Sequence, residues 1–310
     1  MKYLHIARFV AETPWAILRS KLDEIEAILA FHMDGGKFTA EEIRARIGEP
    51  TEPAMARRGA VAVLPLRGVI AHRIGSMQEM SGGMSTEAFS QMFRQALADP
   101  SVSAIVLDVN SPGGTIAGVT ELAGEIFAAR GTKPIIAQVN ALAASAAYWI
   151  ASAADQIVAT PSGEIGAIGV ITSHLDVSKA EEAEGVTRTV FSAGKFKAEG
   201  AGPLSDEAKA AIQARVDEAY GVMTADIARG RGVKPNDIVN GFGQGRVVSA
   251  KMAKSFGMID KIATMDQTLS RLVGRKGADV LRASVDEEML DGDVLHALKA
   301  GFDARRRLLL

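Results

Sequence analysis

Ser145 stands where a serine could act as a nucleophile. It follows the small-residue run Asn140-Ala141-Leu142-Ala143-Ala144 and precedes Ala146-Ala147-Tyr148-Trp149-Ile150. Residues 134–139 are a β-rich apolar run. The pattern predicts a strand, a turn of small residues, and an Ala-rich helix beginning at Ser145. A helix N-terminus offers free backbone N–H groups and favours negative charge. An acyl-transfer enzyme places its nucleophile in such a position because an oxyanion forms beside it. A plain N-cap serine has the same local signature, so the neighbours must decide.

A serine nucleophile needs a base. The chain has five histidines: His5, His32, His72, His174 and His296. His5 and His32 fall in an N-terminal helical segment, His296 in a charged tail, and His72 in a Gly- and Met-rich loop. His174, after an apolar run, is the one imidazole rival. Lysine is the other choice. Phe191-Ser192-Ala193-Gly194-Lys195-Phe196-Lys197-Ala198 sets two lysines among small residues after an apolar run. A lysine acts as a base only if its pKa falls from ~10.4 towards neutrality, which desolvation can supply. Lys195 and Lys197 point the same way on an extended chain, so spacing leaves both open. The third piece is Ser111-Pro112-Gly113-Gly114. Two glycines after a strand let backbone N–H groups approach a ligand closely. With the Ala146 N–H they could hold an oxyanion.

Positioning these groups is the work of the surrounding elements. The 310 residues can form one large core with appendages. Aromatics are only 5% while Ala and Gly abound, so backbones must pack closely. Apolar runs at 60–66, 103–109, 134–139, 155–160, 166–171 and 187–192 read as buried strands. Helical patterns at 85–98, 115–130, 174–184, 205–231 and 246–256 alternate with them. That alternation predicts an α/β fold with a mostly parallel sheet covered on both faces. Ahead of it, Thr13-Pro14 reads as a helix start, with Trp15, Leu18, Leu22, Ile25 and Leu29 on one face. A second helix is expected near 40–47, a linker over 49–58, a loop over 68–83, and a helical tail beyond 266.

Net charge is −2, which gives no electrostatic case for nucleic acid or an anionic membrane. With no cysteine, disulfides and thiolate chemistry are excluded. No apolar run reaches the ~18 residues of a membrane span, and no clear signal peptide opens the chain. The expectation is a protein that stays in the compartment where it is made.

Asp108-Val109-Asn110-Ser111-Pro112-Gly113-Gly114, then Ala144-Ser145-Ala146-Ala147-Tyr148-Trp149, then Gly166-Ala167-Ile168-Gly169-Val170, then Ala193-Gly194-Lys195-Phe196-Lys197 resemble, in that order, the signal peptide peptidase A (S49) serine peptidases. The likeness covers roughly residues 59–265, leaving 1–58 as a helical N-terminal segment with its linker and 266–310 as a helical tail. It implies a ClpP/crotonase-like fold and a Ser–Lys dyad without cofactor or metal. By motif position Ser145 is the nucleophile and Lys197 the base, with Gly114 and Ala146 forming the oxyanion hole and Gly113 helping to bind substrate. The segment Glu12-Thr13-Pro14-Trp15-Ala16-Ile17 is similar to the start of phage head peptidases, which process scaffold and capsid proteins. That branch implies a polypeptide substrate, a ring-like homo-oligomer, and a place in the bacterial cytoplasm or inside phage proheads. The family commonly has a serine to orient the lysine where this chain has Ala167. Either another hydroxyl, Thr172 or Ser173, does this work, or the dyad is less well held and the lysine a weaker base. Other readings of the same motifs are a non-catalytic head-assembly protein, a cytoplasmic peptidase that degrades signal peptides, and a crotonase-type acyl-CoA enzyme. The last would need carboxylate acid/base groups, and none is evident beside Gly113-Gly114.

Overall fold

The computed structural model describes residues 4–37, 39, 54–73 and 83–273. Its frame is a parallel sheet. Strands β3 (Val61–Arg67), β6 (Ala104–Ser111) and β8 (Ile135–Ala144) run side by side in parallel. Apolar residues alternate to the two faces of β6. Ile105, Leu107 and Val109 join the main core, and Ala104 and Val106 join a smaller cluster on the reverse. Both faces are therefore buried, which explains why these strands read as continuous apolar runs.

β8 changes partner along its length. Its first half pairs with β9 (Gln156–Ala159), and its last residues pair with β10 (Glu164–Gly166). The change falls at Asn140, whose carbonyl accepts the Thr160 hydroxyl at 2.8 Å. The strand that delivers Ser145 is thus paired to its end. On the far side, β2 (Ala56–Arg58) adds antiparallel to β3. β11 (Val247–Ser249) adds antiparallel to β10, and β12 (Lys261–Ile262) parallel to β9. A second, small sheet has the order β1 (Trp15–Ile17), β7 (Gly113–Thr115), β4 (Ile70–Ala71), β5 (Met84–Ser85).

Helices α3 (Thr86–Ala98), α4 (Val119–Ala128), α5 (Ala146–Ser152) and α7 (Asp206–Arg231) all send residues into the main core. Ser85 and Ser205 cap α3 and α7, accepting from the N–H groups of Ala88 and Ala208. The reverse face is covered by α10 (Met265–Val273), where the Thr268 hydroxyl donates to Gln138 at 2.6 Å. These layers, with helices α1 (Leu4–Glu12) and α2 (Arg19–Met33) at the N-terminal end, are the α/β class with helical ends that the sequence predicts.

Several expectations are corrected. Thr13 does not open a helix; its N–H and hydroxyl both go to the Phe9 carbonyl and close α1. Trp15, Ala16 and Ile17 are strand, because β7 offers them a paired edge. The residues after Val139 continue as strand rather than turn. α4 starts at Val119 behind Gly118, at φ 78°, and not at Thr115. Residues 187–192 carry no strand and are exposed. The helix expected over 174–184 is only α6 (Ser178–Ala183), and the one over 246–256 begins as β11 before α9 (Ala250–Ser255). The linker and loop expectations contain β2 and β4. The helix near 40–47, residues 74–82 and the tail beyond 273 lie outside the described residues.

One side chain ties the helix after Ser145 to its neighbours. Arg130 donates to the carbonyls of Ser152, Ala153 and Ala154 at the end of α5, and to Gly230 on α7, at 2.6–2.9 Å. Its guanidinium also lies 4.6 Å from the Phe127 ring centre. Burial lowers its pKa from the ordinary value, but the four carbonyls are acceptors that water cannot easily replace. α7 passes so close that a methyl on Gly230 would lie 2.2 Å from the Ser152 carbonyl oxygen. Arg130→Ala orphans these carbonyls and should cost about 2–4 kcal/mol in a urea unfolding titration. Arg130→Lys should recover less than half of that, since an ammonium lacks the planar fork.

Candidate active site

Parallel sheets gather ligands at the carboxyl ends of their strands. β6 and β8 end there in Ser111 and Ala144, and Ser145 follows at once. Ser145 is held at φ 55° and ψ −115°. A non-glycine residue in this region costs of order 1–3 kcal/mol and persists only where its surroundings fix it. Here its N–H donates to Gly166 at 2.7 Å, and its carbonyl accepts the Trp149 N–H at 2.9 Å. The strand above and the helix below thus pull on adjacent atoms. The hydroxyl donates to the Gly169 carbonyl at 3.2 Å.

Behind the serine, every residue of α5 is buried. Alanines let the helix lie close to the sheet, while its large side chains make polar tethers. Tyr148 donates to the Met258 carbonyl at 2.8 Å, and Trp149 to Asp226 at 3.0 Å. Burial pushes the Tyr148 phenol up, so its hydroxyl stays protonated as a donor.

The glycine turn is locked by Ser111. Its hydroxyl donates to the Gly68 carbonyl at 2.6 Å and accepts the Gly113 N–H at 3.1 Å. Gly113 sits at φ 95°. A methyl there would lie 2.2 Å from the Ala16 carbonyl oxygen, 2.9 Å from that of Ala144 and 3.1 Å from the Ala146 nitrogen. A methyl on Gly114 would lie 1.8 Å from the Ile70 carbonyl oxygen. Neither position accepts a side chain. Glycines here bring the turn's backbone, the end of β8 and the first amide of α5 to one point. Beneath the turn, buried Asp108 accepts from Arg67 and from Asn140, coupling β3, β6 and β8.

The structure brings Ser145, Ala146, Gly113 and Gly114 together. None of the base candidates is hydrogen-bonded to the Ser145 hydroxyl, whose partner is Gly169. Lys197 is exposed, and its ammonium has no hydrogen bond or ion pair among the described residues. Lys195 pairs with Glu207 at 2.9 Å. His174 bonds the Gly202 carbonyl at 3.0 Å, and its other nitrogen lies 3.6 Å from Glu12. The hydroxyls of Thr172 and Ser173 both donate to the Ala11 carbonyl, so neither is directed at a lysine. Ala167, like Ser145, has a positive φ, 51°, and its N–H donates to Arg246.

Sequence reasoning missed β1. Trp15 exchanges both backbone bonds with Ile171, at 2.8 and 2.9 Å. Ala16 therefore points the other way, towards its partner Gly114, as does Leu18, whose N–H donates to the Pro112 carbonyl at 2.7 Å. A three-residue strand has no readable period, and the large-small-large order of Trp15, Ala16 and Ile17 was its one signal.

The chain is similar to known proteins. The profile of "Peptidase family S49" matches residues 128–279. Head-tail preconnector protein GP5 of Enterobacteria phage P21 is 31% identical over 77% of this chain and 45% of its own length. Capsid assembly protease C of Escherichia phage lambda is 28% identical over 77% of the chain and 56% of its own length. The chain thus spans about half the length of these phage relatives. A putative signal peptide peptidase SppA of Enterococcus faecium is 30% identical over 74% of the chain and 67% of its own length. Among solved structures, an enoyl-CoA hydratase from Mycobacterium avium subsp. paratuberculosis K-10 aligns with 84% of this chain and 90% of its own, at 14% identity and TM-score 0.44. With the serine, the glycine turn and these relatives in place, the chain belongs to peptidase family S49.

Proposed function

We propose that this chain is a serine endopeptidase that cuts scaffold or capsid proteins during phage head maturation. The carrying observation is the strained backbone of Ser145 at the strand–helix junction, with the Ala146 amide and the Gly113-Gly114 turn converging beside it. In this reading Lys197, neutral, takes the Ser145 proton as the hydroxyl attacks the scissile carbonyl. The Gly114 and Ala146 N–H groups hold the oxyanion. Lys197 returns the proton to the leaving amine, and water releases the acyl group. The similarity to a phage capsid assembly protease supports the substrate class.

The exposure of Lys197 has a place in this scheme. Its segment also exposes Phe191 (92% accessible), Phe196 and Val190. Exposed apolar side chains in a row mark an association surface. A contact between copies over this segment would bury the amine with them and supply the desolvation that a lysine base requires. A non-catalytic head-assembly role is the second reading, favoured by the same exposed lysine and by Ala167.

Ser145→Ala should lower turnover of an unfolded test protein by at least about 10⁴-fold while leaving the unfolding midpoint unchanged. Retained turnover would exclude Ser145 as nucleophile. Lys197→Ala should do the same, and Lys195→Ala should not. Mixing Ser145→Ala with Lys197→Ala chains should restore measurable activity if one copy's lysine serves another's serine. A lysine base works only when neutral, so kcat/KM should be higher at alkaline than at neutral pH, and a profile flat between the two would exclude it.

A further inference from the structure

We propose that strand β1 is a resident substrate mimic: it fills the groove that the peptide to be cut would occupy, and substrate enters only by replacing it. The proposal rests on the peptidase reading of Ser145, and four observations carry it.

The pairing comes first. β1 is bonded on both edges, to Ile171 on one side and to β7 on the other. An extended peptide captured by a sheet uses the same main-chain bonds, which do not depend on its sequence. The second observation is position. The Ala16 carbonyl oxygen and the Ala146 nitrogen both lie within about 3 Å of the point where a Gly113 methyl would sit. Ala16 is also the residue opposite Gly114. A carbonyl oxygen of the chain's own backbone thus lies against the glycine turn, on the side where the first amide of α5 approaches it. Third, the cover is complete: Ser145 and Ala16 are both 0% exposed.

The fourth observation is how the strand is held. Its side chains alternate. Trp15 and Ile17 pack with Val10, Leu22 and Val69, while Ala16 joins the main core. The Trp15 indole donates to the Val10 carbonyl at 2.8 Å. Most of these partners belong to α1 and α2, so the segment carries its own small core and can leave as a unit. Ala16, opposite Gly114, is fully buried where its side chain enters the main core. A small residue is therefore expected at this place in a peptide that replaces β1.

The test uses the full chain and a fluorescein-labelled peptide of residues 12–19. Binding is read by anisotropy in a Ser145→Ala background, so it does not depend on catalysis. Trp15→Ala with Ile17→Ala removes the anchors and leaves every bond to the site's backbone possible. The peptide should bind this variant at least tenfold more tightly than it binds the Ser145→Ala chain alone. Equal binding to both, or binding to neither, overturns the proposal. If the double variant does not fold, Trp15→Cys with Ile171→Cys is used instead. The chain has no other cysteine, and paired antiparallel residues are within reach of a disulfide. Oxidised, it should exclude the peptide; reduced, it should bind it. The same affinity in both states is the overturning result. With serine at 145, a fluorophosphonate should label the loosened variant at least tenfold faster than the wild-type chain. Peptide binding as expected with no labelling of either would leave β1 as the groove's occupant and remove the peptidase reading instead.

Discussion

The backbone of Ser145 is the constraint on which the site depends. Its N–H bonds to β10 and its carbonyl starts α5, so it cannot relax to a common conformation without breaking one or the other. The tension is tolerated because both anchors are rigid. β8 pairs with β10 up to Ala144 and with β6 up to Ala143, and α5 is buried along its whole length. A serine so placed donates its hydroxyl to the Gly169 carbonyl instead of capping the helix that it starts.

The glycine turn meets this arrangement from the other side. Ser111 holds it by donating to one backbone carbonyl and accepting from one backbone amide, and Asp108 ties together the strands beneath. Chemistry and architecture are hard to separate here. The residues that leave no space for side chains at Gly113 and Gly114 are the same ones that bring the amides together.

Much of this was legible in the sequence, for physical reasons. Continuous apolar runs marked strands buried on two faces, and Ser85 and Ser205 marked helix starts. The Gly113-Gly114 pair and the Ala-rich stretch after Ser145 signalled close backbone approach, and both are found at the site. What escaped was decided by distant partners. Trp15 to Ile17 fit a helical spacing in isolation, but β7 and Ile171 supply edges that local propensity cannot anticipate. Residues 187–192 look like a strand by composition, yet no neighbour pairs with them in the described chain, and β-rich composition without a partner edge forms no strand. The place of Lys197 depends on that same unpartnered segment, so spacing alone could not fix it.

The tethers of α5 also set an order of events. Tyr148 is bound to Met258, Trp149 to Asp226, and the end of the helix shares Arg130 with Gly230. During synthesis the chain emerges from its amino end, and contacts so far apart in sequence close late. A ribosome that has just extruded Ser145 therefore holds a serine whose supporting helix still lacks most of its partners. Only after the chain has reached Met258, 110 residues beyond Tyr148, can the last of these tethers close and hold the strained geometry in place.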